Sequence, residues 1–235
     1  MNDINPRAHL ERSIEDIKRK LIKLGKMSAE SLSKSVHALK SQDGELAGSV
    51  IKMDDNIDSL RYEIENDCLH FIARFQPLGE DLRAVSSCMY MASDLERLGD
   101  YGNSISKTAI ELADEEYIKP LIDIPRMFDI VEAMLEKSLE AFEKNSKDLA
   151  IEVFALDDQV DDLETQILRE LVFLMIEKTS RIEQGSKLLL VARNLERAGD
   201  HVTNIAERVL YILTGEYVSA SKYRRPEKKG RSEGF

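Results

Sequence analysis

The feature that most constrains this chain is an internal repeat. Residues 38–64 align without a gap onto residues 141–167, at an offset of 103. The alignment pairs Leu46 with Leu149, Val50 with Val153, Leu60 with Leu163 and Ile64 with Ile167. Further on, Leu95-Glu96-Arg97-Leu98-Gly99-Asp100 aligns onto Leu195-Glu196-Arg197-Ala198-Gly199-Asp200 at an offset of 100. The three-residue difference falls in a connection, where a change of loop length costs little. A supersecondary unit has therefore been used twice, and any fold must accommodate both copies.

The apolar period says what the unit is. Glycine and proline are sparse, and the long stretches between them carry apolar residues at spacings of three and four. Asn5-Pro6 reads as a capped helix start, with a first helix running to Leu39. A second spans about 45–76 and ends at Gln76-Pro77-Leu78-Gly79, because Pro77 lacks a donor and restricts its predecessor. A third covers about 80–113, a fourth 125–145, a fifth 148–178 and a sixth 181–215. The last carries a stripe at Leu195, Ala198, Val202, Ile205, Val209 and Ile212 that suits packing in a bundle. The expected fold is all-α, two repeated three-helix bundles over 1–115 and 125–216. A linker at 116–124, containing Pro120, joins them. Residues 217–235 read as a basic, disordered tail.

Charge narrows the partners. The chain of 235 residues carries a formal net charge of −11, which disfavours a broad nucleic-acid interface and favours divalent cations or basic protein surfaces. Cys68 and Cys88 sit inside helical patterns without a CxxC spacing and read as buried thiols of a reducing compartment. Residues 1–13 lack the apolar core of a signal peptide, and no apolar run reaches the ~20 residues needed to span a bilayer. A cytoplasmic chain that meets membranes only through partners is expected.

Four acid pairs occupy matched places in the repeats: Asp54/Asp58, Glu96/Asp100, Asp157/Asp161 and Glu196/Asp200. Each pair is spaced i, i+4 and so shares one helix face. With 44 acids in the chain, random placement gives roughly eight such pairs, so spacing alone is uninformative and recurrence in register is the signal. Relative to the apolar stripe Glu196 and Asp200 point outward, as do Asp58 and Asp161, while Asp54 and Asp157 lie nearer the seam. All eight are expected as surface groups. Like charges so spaced repel, at roughly 0.2–0.5 kcal/mol per pair, and a hard cation offsets that. An all-oxygen donor set favours iron, manganese or magnesium over zinc. Gly99 and Gly199, in mid-helix, suit a close approach by a neighbouring helix.

The doubled Leu-Glu-Arg-x-Gly-Asp, each preceded by an Asp-x-x-x-Asp helix, resembles the PhoU family. So does Arg74-Phe75-Gln76-Pro77-Leu78-Gly79-Glu80-Asp81-Leu82-Arg83, which is similar to that family's turn between helices two and three. The resemblance covers about residues 7–215. It implies metal-binding motifs at the four acid pairs, with multinuclear iron clusters as the first expectation. It also implies a non-catalytic negative regulator of phosphate uptake and of the phosphate-starvation response. The implied partners are the ATPase subunit of a phosphate ABC transporter and a phosphate-sensing histidine kinase, and a homodimer is expected. One departure stands out. Asn204, after the second motif, is matched by Ser104, with Asn103 one position early. Strictly equivalent sites in the two halves are therefore not expected.

The rival reading is a carboxylate-bridged multi-metal redox or metal-handling bundle. A ferritin-like di-iron site needs Glu-x-x-His on two helices, whereas this sequence has one Asp-x-x-His, at Asp67–His70. His201 follows Asp200 as a peripheral candidate ligand. No phosphate loop, nucleophile elbow or dinucleotide fingerprint is present. A third reading is a helical adaptor whose acids are merely solvated.

Overall fold

Residues 6–223 are described by a computed structural model, so the Asn5 cap and residues 224–235 of the tail lie outside it. The helices are α1 (Pro6–Ser41), α2 (Gly44–Ile51), α3 (Asp54–Phe75), α4 (Gly79–Glu111), α5 (Asp123–Lys144), α6 (Lys147–Glu177) and α7 (Ile182–Thr214), and no strand forms among the described residues. In the first half α1 packs on α4 and α3, and α3 on α4; in the second, α5, α6 and α7 pack mutually. Two three-helix bundles result.

Local chemistry sets most of the boundaries. The Asp43 carboxylate accepts the Leu46 amide to cap α2, and Ser146 does the same for the Leu149 amide of α6. Gln76 and Asn145, both left-handed, close α3 and α5, and Gly215 at φ 75° closes α7. The stripe read from the last helix is buried along its whole length, from Leu195 to Ile212.

The second helix of the first half departs from expectation. It breaks at Lys52–Met53, where the Met53 amide bonds Val50 at 2.9 Å and the chain restarts as α3 at Asp54. The matched residues Ala155 and Leu156 lie inside an unbroken α6. Lysine and methionine are good helix formers, so intrinsic propensity does not explain the break.

The glycines report how tightly helices approach. A Cβ on Gly99 would stand 2.9 Å from Ile57, and one on Gly199 would stand 3.5 Å from Val160, the residue matched to Ile57. The environments correspond, but the approach is close at Gly99 and ordinary at Gly199. The tightest backbone crossing is at Gly102, where a Cβ would lie 3.0 Å from the Ser31 carbonyl carbon and 3.2 Å from the Leu32 nitrogen. There α1 and α4 meet with no room for a side chain.

The halves share one continuous core. Leu139 of α5 fills the space above Gly25 of α1, and Lys18 lies over the Phe142 ring at 5.8 Å. Between them α4 crosses α7 about an approximate two-fold axis. Asp94 meets His201 and Asn204, while Asn194, the residue matched to Asp94, meets Ser104, the residue matched to Asn204. The matched rings of Tyr101 and His201 face each other near that axis, 5.8 Å apart. The linker is also tied down. Gln184 accepts the Ile118 amide and donates to Glu115 and Glu116, and the Tyr117 hydroxyl donates to the Leu39 carbonyl.

Residues 217–223, read from the sequence as part of the tail, are tied to the bundle. Tyr217 stacks on Tyr211 at 4.2 Å, Glu207 accepts the Ala220 amide, and Tyr223 stacks on Phe154 at 5.6 Å. Residues 217–223 thus fold back over α7 and α6. Cys68 and Cys88 are free and buried, and burial pushes both thiols up, Cys68 to about 12. No helix among the described residues is long and apolar enough to cross a membrane.

Candidate metal centres

In the first half the break at Met53 places Asp54 and Asp55 in the first turn of α3. Unpaired amides and the helix dipole favour negative charge there. One turn on, Asp58 faces α4. Antiparallel packing brings this acidic start against Glu96 and Asp100. Burial raises the Asp58 carboxyl above its ordinary range, helped by Asp54, Asp100 and Asp55 and opposed by Arg61. Glu96 is raised for the same reasons: burial first, then Asp100, with Arg97 opposing and Asp58 adding. Arg97 bonds Asp100 at 2.7 Å and stands 3.7 Å from Glu96. The Asn103 amide donates to Asp54.

The second half repeats the plan in a drier setting. Asp157 and Asp158 lie within continuous α6 and are 1 % and 2 % exposed. Asp157, expected at the surface, is therefore a buried carboxylate. The α5 helix, which packs on both α6 and α7, encloses this side of the bundle. Asp161 and Glu164 follow on α6 and meet Glu196 and Asp200 of α7. Arg193 bridges Glu164 at 3.1 Å and Glu196 at 3.4 Å. The other Glu196 oxygen is buried without a hydrogen-bond partner. Burial pushes the Glu196 carboxyl up to about 7, with Asp200, Glu164 and Asp161 adding and Arg193 opposing. Thr203 stands where the first half has Asn103, and its hydroxyl is buried with no hydrogen-bond partner.

Across antiparallel helices, Asp54, Asp58, Glu96 and Asp100 are electrostatically coupled in the first half, and Asp161, Glu196 and Asp200 in the second. As placed, no three His, Cys, Asp or Glu side chains among the described residues converge into a metal-holding set. The groups are open carboxylate clusters rather than closed coordination spheres. Their oxygen-only donors, and the orphaned Glu196 oxygen in particular, fit a hard cation that keeps much of its water.

Several participants were not singled out in the sequence. Asp55 and Asp158 are the second members of Asp-Asp doublets at matched positions, a signal available in the repeat. Glu164 and Arg193 enter only through helix packing, while Asn103, noted beside the first motif, takes its role as a donor to Asp54. His201, a peripheral ligand candidate, instead holds Asp94 through Nδ1 at 2.8 Å in the α4–α7 crossing. Beside it, a cavity of about 530 Å³ opens between Tyr101, Arg197, Asp200, Glu207 and the folded-back Ser219.

Comparison with known proteins agrees with the repeated all-helical fold. The PhoU domain family matches residues 21–109 and again residues 124–209. The chain is 39% identical over 221 residues to a phosphate-specific transport system accessory protein PhoU homolog of Aquifex aeolicus, covering 94% of this chain and 99% of that one. It is 36% identical over 209 residues to the homolog of Clostridium acetobutylicum, covering 88% and 95%. Among solved structures, PhoU from Pseudomonas aeruginosa superposes with a TM-score of 0.85 at 33% identity, covering 88% of this chain and 99% of that one. The phosphate transport system regulatory protein PhoU from Streptococcus pneumoniae gives 0.84 at 31%, covering 89% and 99%.

Proposed function

Because the chain belongs to the PhoU family, we propose that it is a non-catalytic accessory regulator of phosphate-specific transport that binds metal ions at its two carboxylate clusters. The observation that carries this reading is the near end-to-end match to transport accessory proteins, in which both repeats are present. The partners that fit are the ATPase subunit of a phosphate ABC transporter and a phosphate-sensing histidine kinase. The regulator represses the starvation response while phosphate is plentiful, and its form is a homodimer. Bound iron, manganese or magnesium would neutralise the mutual repulsion of each cluster. Asp54, Asp58, Glu96 and Asp100 would supply oxygens in one half, and Asp157, Asp161, Glu196 and Asp200 in the other.

The test is genetic and biochemical. Deleting the gene should derepress phosphate-starvation genes in phosphate-rich medium, and tagged protein should recover the transporter ATPase or the kinase from membranes. Unchanged expression together with no recovered partner would overturn the regulatory reading.

A further inference from the structure

A groove of about 590 Å³ runs between α1 and α3 of the first half, away from both carboxylate clusters. Its size falls in the range of small-ligand sites. Arg19, Lys20 and Lys23 line it from α1, and His70 and Arg74 from α3, against the carboxylates Asp16 and Asp67. For a chain of net charge −11, this is a local reversal of sign.

The cations are not all spent on neighbours. Arg19 is held by Asp16, and Lys20 by Asp67 at 2.5 Å and Glu63 at 2.6 Å. Lys23 and Arg74 form no contact ion pair among the described residues and are exposed beside the groove, with Lys23 acting on the Glu63 carboxylate only at a distance. The Arg74 guanidinium lies over the Phe75 ring, 5.3 Å from its centroid, which holds it on the groove wall. Phe71 is buried and leaves the cations on an apolar base. The feature is not a by-product of duplication. At the offset of 103, Arg74 is matched by Glu177 and His70 by Phe173.

We propose that this groove binds a phosphate-bearing anion. The free cations stand on two different helices. A carboxylate offers two oxygens in one plane, whereas a phosphate offers three or more in a tetrahedron and can be gripped from both walls at once. Arg74 supplies a planar donor fork for two of those oxygens, and Lys23 a mobile point charge for another. His70 adds a ring nitrogen at the same wall. A free phosphorylated compound and an anionic lipid headgroup share this chemistry. The inference rests on the groove alone and does not depend on the metal clusters or on the transport role.

Full-length protein is titrated with inorganic pyrophosphate while the His70 ring signals are followed by NMR, assigned with His70→Gln. In parallel it is floated with phosphatidylcholine vesicles with and without phosphatidylglycerol. Binding in either arm is expected, and the arm that responds names the source. Lys23→Gln/Arg74→Gln should weaken it by about tenfold or more, and added salt should weaken it further. Lys23→Arg/Arg74→Lys should retain most of it, and Lys40→Gln/Lys107→Gln, equal in charge change but at the opposite end of the first bundle, should change it little. Unchanged thermal unfolding shows that the variants fold. The proposal is overturned by binding in neither arm, by pyrophosphate binding that leaves His70 unmoved, by equal loss in the remote control, or by tighter binding of polyglutamate at the same site.

Discussion

The two carboxylate clusters descend from one repeated pattern, yet they stand in different electrostatic surroundings. In the first half, Asp54 and Asp58 stand at the start of a helix and share in its dipole, Asp54 receives an amide from Asn103, and all four acids are half-exposed. In the second, the matched acids lie mid-helix, Asp157 and Asp158 are buried, and Glu196 is driven up to about 7. A one-turn break and a change from Asn103 to Thr203 separate the two settings. Repetition of a motif thus fixes which groups meet, while the helix geometry around it fixes how much it costs to charge them.

The largest expected effect separates the clusters outright. Glu196→Gln/Asp200→Asn should remove the second-half metal and leave the first, as read by elemental analysis of gently purified protein. Equal metal content in wild type and variant, or no metal in either, would return the acids to a solvated role.

Next comes pH. The folded carboxyl of Glu196 is raised above its unfolded value, so the folded state holds the proton more tightly. Stability is then unaffected well below the unfolded pKa, falls as pH rises through the window up to about 7, and stays reduced above it. In metal-free protein this costs at most about 3 kcal/mol, reduced toward ~2 kcal/mol by solvent screening of a partly exposed group. Urea unfolding of Glu196→Gln should lack most of that slope and show greater stability above neutral pH. Glu96→Gln, at the less buried counterpart, should show the same sign and a smaller effect. A larger effect in the first half would invert the comparison.

A third pair tests packing behind the clusters. Gly199→Ala meets ordinary contacts and should stabilise the helix by up to about 1 kcal/mol. Gly99→Ala must displace buried Ile57 and should lose that gain or destabilise by roughly 1 kcal/mol. Thermal unfolding of both distinguishes the halves. The smallest effect concerns the amide itself. Asn103→Ala should cost about 1 kcal/mol through the lost bond to Asp54, whereas Thr203→Val, which removes an unpartnered hydroxyl, should be neutral or slightly stabilising.

Much of this was legible in the residues. The apolar period placed the helices within a few positions, apart from the second, which is two, and the register of the acid pairs picked out carboxylates that influence one another across the helices. The break at Lys52–Met53 was hidden, because neither residue opposes a helix. The burial of Asp157 was hidden as well. Position on a helical wheel reports direction from that helix, not what other helices stand over it. Arg193 and Glu164 were invisible for the same reason: their roles arise between elements, from packing that a linear pattern does not encode.

The near-symmetric meeting of α4 and α7 has a consequence of its own. Two identical subunits related by a two-fold must carry identical sites, since every substitution appears twice. Here the same arrangement is made within a single polypeptide, and each copy is free to drift alone. Asn103 has no twin at 203, and Arg74 is answered by Glu177. A covalently joined pair of this kind can keep the mechanical balance of a symmetric joint while grading its responses. Under the proposed metal binding, two such clusters of unequal strength would fill one after another, and a single molecule would then register a broader span of ion concentrations than either half alone.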